Sequence, residues 1–191
     1  MTNNENSKII ISFDNIINEL QSNCGQYIKA IVETQRVFYR GLGHCDIGCF
    51  SSFPREGREP LSTPIDVHNN FVKWIKNHGF MANRDNSLFV TSDINQAKIY
   101  GNIYVIFPCD GFKFTWSPLC KDLYYYWKNK NEFQVNLDIS KMLESLSYTD
   151  TDLVLSLNSE NEVMISHAPY IAIQLSNIKP IFEYFNVNIK T

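Results

Sequence analysis

The apolar residues of this chain come in short runs, such as residues 9–11 and 103–107, divided by glycine, proline, asparagine and charge. None approaches the ~20 residues that span a bilayer, so the chain must close its core from many short elements. With 191 residues, 44% hydrophobic and 14% aromatic, it has enough apolar material for one domain. The net charge of -3 provides no chain-wide basic field to hold a nucleic-acid backbone or an anionic membrane.

The first residues lack the basic start and apolar middle of a signal peptide. Five cysteines at irregular spacing argue against a disulfide framework and for synthesis in a reducing compartment. The chain is therefore expected in the cytosol, its own or that of a cell into which it is delivered, with no membrane partner.

Ser12 is placed to cap a helix in which Phe13, Ile16, Ile17 and Leu20 share a face, and a second short helix follows over 27–32. Arg36-Val37-Phe38-Tyr39 is dense in β-formers and is expected to stop at Gly41-Leu42-Gly43, which puts Arg40 at a strand end. Residues 44–62 show no periodicity and read as one long loop of the kind that covers a site. Thr63-Pro64 then starts a helix whose Ile65, His68, Phe71, Val72 and Ile75 fall on one side, with Gly79 as its stop.

A strand over 88–91, a helix over 93–100 and a strand over 103–107 come next. Residues 119–130 and 139–146 read as helical, and 153–157, 163–166, 170–175 and 181–185 as strands. The order is mixed α+β, with strands gathered late.

Three segments carry candidate chemistry: Phe38-Tyr39-Arg40-Gly41, Leu88-Phe89-Val90-Thr91-Ser92-Asp93, and Glu160-Asn161-Glu162-Val163-Met164-Ile165. Taken alone, a strand arginine is most often ion-paired surface, Thr91-Ser92 is explained as a helix cap, and the two glutamates read as a solvated turn. At i and i+2 of a strand the glutamates are expected to share a face.

In this order the segments resemble the signature of the arginine–serine–glutamate mono-ADP-ribosyltransferases: Arg-Gly on an early strand, a Ser-Thr-Ser strand, and Glu-x-Glu entering a late one. Gln96-Ala97-Lys98-Ile99-Tyr100-Gly101 and Tyr104-Val105-Ile106-Phe107-Pro108 are similar to the helix and strand that follow the serine motif, so the likeness runs over 37–175. Arg58-Glu59-Pro60-Leu61-Ser62-Thr63-Pro64 and Trp116-Ser117-Pro118 with Lys121-Asp122-Leu123 resemble phage-type members. Val90 stands where the first serine is expected, and Leu155 and Leu157 stand where an aromatic often precedes the glutamates.

The resemblance implies a single α+β domain: a helical part over 1–35 and a catalytic core over 36–191, built of two packed, mostly antiparallel sheets around an NAD cleft with flanking helices. It implies transfer of ADP-ribose from NAD, a co-substrate, to an arginine of a macromolecule, preferably a protein, with nicotinamide released and no metal. A nucleic-acid acceptor stays open. Glu162 would stabilise the oxocarbenium-like transition state, Arg40 would bind the phosphate or ribose side, and Gly41 would let its backbone approach the nicotinamide. Ser92 with Thr91 would hydrogen-bond the glutamate, and Glu160 would pair with the acceptor guanidinium and help deprotonate it. Two alternatives remain: an NAD glycohydrolase, which shares every residue except a productive Glu160, and an inactive NAD- or protein-binding module on the same fold.

Other constellations are weaker. His44-Cys45 with Cys49 lacks a fourth ligand at zinc-type spacing. Cys45, Cys49, His68 and His167 can be paired into a cysteine hydrolase only arbitrarily. Tyr124-Tyr125-Tyr126-Trp127 and Trp116 read as packing residues.

Overall fold

The structure is a computed structural model that describes residues 8–43, 45–60, 62–133 and 138–189. The readings made on the first seven residues, on His44 as a metal ligand and on Leu61 lie outside the described residues.

The chain begins with β1 (Ile9–Ile10), a 3-10 turn (Phe13–Asn15), α1 (Ile16–Asn23) and α2 (Gly25–Thr34). Next come β2 (Phe38–Leu42), β3 (Cys49–Ser52), α3 (Ile65–Asn77), β4 (Leu88–Val90) and α4 (Ile94–Lys98). Then follow β5 (Asn102–Pro108), β6 (Lys113–Trp116), α5 (Leu123–Phe133) and α6 (Ile139–Glu144). The last elements are α7 (Leu153–Ser159), β7 (Val163–Ser166), β8 (Tyr170–Gln174) and α8 (Lys179–Tyr184). The strands form two antiparallel sheets, a five-stranded one in the order β1-β3-β8-β5-β2 and a three-stranded one in the order β4-β7-β6. This is the mixed α+β class read from the sequence. No helix among the described residues is long and apolar enough to cross a membrane.

Local chemistry explains the elements. The Ser12 hydroxyl accepts from the Asp14 N–H, and the Asp110 carboxylate accepts from the Gly25 and Gln26 N–H groups that open α2. Buried Tyr27 on α2 accepts through its hydroxyl from the Phe38 N–H at 2.7 Å, which fixes the start of β2. Its ring stacks on Phe38 and meets Phe107 edge-on, inside the larger core, which gathers residues of both sheets with those of α1, α2, α7 and α8. A second core gathers Phe71, Trp74 and Ile75 of α3 with Leu123, Met142, Leu143 and Met164.

Five expectations are corrected. Residues 153–157 are helical rather than a strand: Leu153, Leu155 and Leu157 mimic a period of two, but Asp152 turns left-handed (φ 61) and its carboxylate accepts from the Leu155 N–H at 2.8 Å. In place of the strand expected over 181–185 stands α8, which Lys179-Pro180 opens and Phe185 caps, with Ile181 and Phe182 buried. The expected loop over 44–62 contains β3, and the expected helical part over 1–35 contributes β1. Arg40 sits at the centre of β2, opposite Tyr104, because the strand continues through Gly41 to Leu42.

Gly41 shows why the strand can continue. A Cβ there would lie 2.1 Å from the Ala97 carbonyl oxygen and 2.8 Å from the Tyr100 Cβ, so the missing side chain is what lets α4 pack on β2. Gly41→Ala is therefore expected to lower stability by about 2 kcal/mol or more, since a backbone carbonyl must move to admit the methyl. Denaturant unfolding of the two proteins checks this, and an unchanged midpoint would refute the packing argument.

Candidate functional site

The cleft forms where the two sheets meet. Tyr39 of β2 and Thr91 beyond β4 exchange backbone hydrogen bonds of 2.7 and 3.1 Å, so the residues after each, Arg40 and Ser92, leave the junction on rigid backbone. A cavity of about 360 Å³ opens beside this junction. β2 contributes Arg40 and Gly41, β4 contributes Phe89 and Val90, and the edge of β7 contributes Glu162. Tyr100 and Tyr124 give it aromatic walls.

Arg40 is half-buried, and its guanidinium donates through Nη1 to the Phe89 carbonyl at 2.6 Å, while its Nε has no partner among the described residues. Burial lowers its pKa, and the nearby Tyr170 and Glu162 act in the opposite sense. Glu162 is largely buried. Its backbone N–H donates to the Lys121 carbonyl at 2.9 Å, and its carboxylate accepts from Arg84 Nη1 at 3.0 Å. Burial raises the Glu162 pKa, and the positive charge of Arg84 resists that rise.

Two arginines that the sequence reading did not place in a site complete the wall. Arg58 and Arg84 lie with their guanidinium carbons 4.3 and 4.8 Å from the Phe89 ring centroid. Their loops are tied together by the Arg58 N–H, which donates to the Asp85 carbonyl at 3.0 Å. The Arg84 loop is held by its own side chains: Asn83 accepts from the Asp85 N–H, and Asn86 accepts from the Asn83 N–H. Such non-periodic loop arginines give no sequence signal beyond the turn-formers around them. Burial, then the charges of Arg40 and Arg84, pull Arg58 down to about 10, which leaves it protonated at neutral pH. Burial and the charge of Arg84 also lower the pKa of His68, which faces the same cavity from α3.

The expected site residues divide into those the fold gathers and those it does not. Arg40, Gly41, Thr91 and Glu162 line one cavity. Gly41 does so as the packing glycine for α4. Ser92 is buried, but its hydroxyl has no partner among the described residues, and Glu162 is held by Arg84 instead. The hydroxyl in use is that of Thr91, which donates to the Glu160 carbonyl at 2.9 Å and accepts from the Asp93 N–H.

The two glutamates do not share a strand face. Glu160 ends α7 in a left-handed conformation (φ 61), and buried Asn161 donates to the Ser117 carbonyl at 2.8 Å, so the side chains diverge. Glu160 pairs with Arg36 at 2.9 Å on the surface, both half-exposed. Trp116 is buried and donates to the Thr151 carbonyl, a packing role. Of the Tyr124–Trp127 run, Tyr124 reaches the cleft while Tyr126 and Trp127 pack on the second core.

Searches of family models, curated proteins and solved structures return no match to this chain.

The Glu162 environment yields a direct expectation. Arg84→Gln removes the charge and hydrogen bond that restrain its pKa, so the carboxyl should titrate at higher pH than in the parent, itself above an ordinary glutamate at about 4.3. Carbon-13 NMR titration of the side-chain carboxyl measures both values. A downward shift would show that Arg84 is not the group restraining it.

Proposed function

We propose that this protein transfers ADP-ribose from NAD to an arginine side chain of a macromolecule, with NAD lying in the cleft of Arg40 and Glu162. The observation that carries the reading is that two groups far apart in sequence, a strand arginine and a largely buried glutamate, line one cavity with Thr91 beside them. They are the residues the family resemblance singles out, and they meet without having been chosen for proximity.

The chemistry suits the residues. When the bond between ribose C1 and the nicotinamide nitrogen breaks, the electron pair leaves with nicotinamide and positive charge develops on the sugar. A carboxylate already fixed beside that carbon stabilises the charge without reorganising. Glu162 is fixed from both ends, by Lys121 at its backbone and Arg84 at its carboxylate. Arg40 offers a planar, charged donor held by a carbonyl, suited to the phosphate or ribose side of NAD. The acceptor guanidinium nitrogen would bond to C1 and lose its proton to Glu160, which sits at the exposed end of the same segment.

One observation favours a second reading, NAD hydrolysis. Glu160 does not line the cavity and is engaged with Arg36, which leaves water as the acceptor unless that surface pair opens.

Incubating the pure protein with labelled NAD and a cell lysate tests both. Glu162→Gln should reduce nicotinamide release roughly 10²–10³-fold and stop labelling with it. Glu160→Ala should abolish protein labelling yet spare hydrolysis if transfer is the function, and should change nothing measurable if hydrolysis is. No release of nicotinamide by the parent protein would remove both readings.

Activity should also fall on the acid side as Glu162 is protonated. Because its pKa is raised, the loss should begin at higher pH than an ordinary carboxylate would give, and a pH profile of nicotinamide release measures it.

A further inference from the structure

The cleft carries more positive charge than its own carboxylates satisfy, although the chain as a whole is acidic at -3. Arg40, Arg58 and Arg84 face it, against Glu162 and Asp122. Asp122 is engaged by neutral donors, the Tyr125 N–H at 3.0 Å and the Gln96 amide at 3.4 Å. Of these three arginines only Arg84 has a carboxylate partner among the described residues, while Arg58 Nη1, Arg84 Nε and Arg40 Nε are buried with no partner among them. Guanidinium nitrogens buried without an acceptor are costly, and a site that gathers three of them is arranged for an anion from outside.

Geometry narrows the anion. Arg58 and Arg84 both pack on the Phe89 ring, and Arg40 binds the carbonyl of the same residue, so three planar donor groups are gathered about one residue and line one cavity. Guanidinium groups bind phosphate oxygens in pairs, and several of them around one point suit a group with many oxygens rather than a single carboxylate. The cavity of about 360 Å³ holds a small ligand, not a polymer.

We propose that Arg58 and Arg84 form a binding site for a diphosphate group, and that this anion competes with Glu162 for Arg84. The proposal rests on the reading above in taking this cleft as the ligand site, but its charge argument needs no transfer chemistry. Arg84 pairs with Glu162 at 3.0 Å. An arriving diphosphate draws Arg84 toward its own oxygens, and the freed carboxylate turns to the rest of the ligand. Arg58, which has no carboxylate to give up, binds the diphosphate without that exchange.

Titration calorimetry of the full chain with inorganic pyrophosphate, at ~0.15 M salt to screen surface charge, tests it. The parent should bind, Arg58→Gln and Arg84→Gln should each weaken binding tenfold or more, and Glu162→Gln should tighten it several-fold by removing the competing anion. Failure of the parent protein to bind overturns the proposal whatever the variants do. So does binding that neither arginine variant weakens. Unchanged affinity in Glu162→Gln overturns the competition. Pyrophosphate binding without NAD turnover leaves this assignment standing and removes the transfer reading, and turnover without pyrophosphate binding does the reverse.

Discussion

The reciprocal backbone hydrogen bonds between Tyr39 and Thr91 hold the two sheets together at the place where the cleft opens. Arg40 and Glu162 belong to separate sheets, which also share one buried core, and this junction fixes the backbone beside the cleft. With it, a side chain on β2 and one at the start of β7 face the same space. Gly41 tightens this joint by letting α4 close on β2, which brings Tyr100 to the cavity wall.

Electrostatics divide the molecule unevenly. The surface is acidic overall, yet the cleft gathers arginines against an aromatic ring, where burial amplifies each charge. Burial, reinforced by their field, lowers the pKa values of Arg58 and His68, while the same field opposes the rise that burial imposes on Glu162. The glutamate is thus held ionisable in a place where a lone carboxyl would favour its neutral form. The proposed dinucleotide substrate and the proposed diphosphate site are both assigned to this one cavity.

Much of the architecture was legible in the sequence because it follows from periodicity and caps. The spacing of Phe71 and Ile75 and the run over 103–107 each mark an element that the fold contains, and the cap read at Thr91-Ser92 falls one residue later, on Asp93. Where local pattern and local capping disagreed, capping prevailed: three alternating leucines suggested a strand, but Asp152 committed them to α7. β3 escaped notice because its Cys49-Phe50-Ser51-Ser52 is short and gains its strand conformation from pairing with β8. In the site, Arg40 and Glu162 could be picked out by order along the chain, whereas Arg58 and Arg84 could not, since only the folded loops bring them to Phe89. The expected Ser92–Glu162 contact failed for the same reason: a neighbour in space, Arg84, took the carboxylate.

The short β1 strand has a consequence for handling the protein. The five-stranded sheet ends on one side in β2, joined to the second sheet, and on the other in a strand of only two residues, Ile9–Ile10, both exposed. So brief an edge offers little template for a neighbouring chain to add to. Trimming the first ten residues to ease crystallisation would bare the four-residue β3 in its place, and would exchange a blunted border for one that invites self-association.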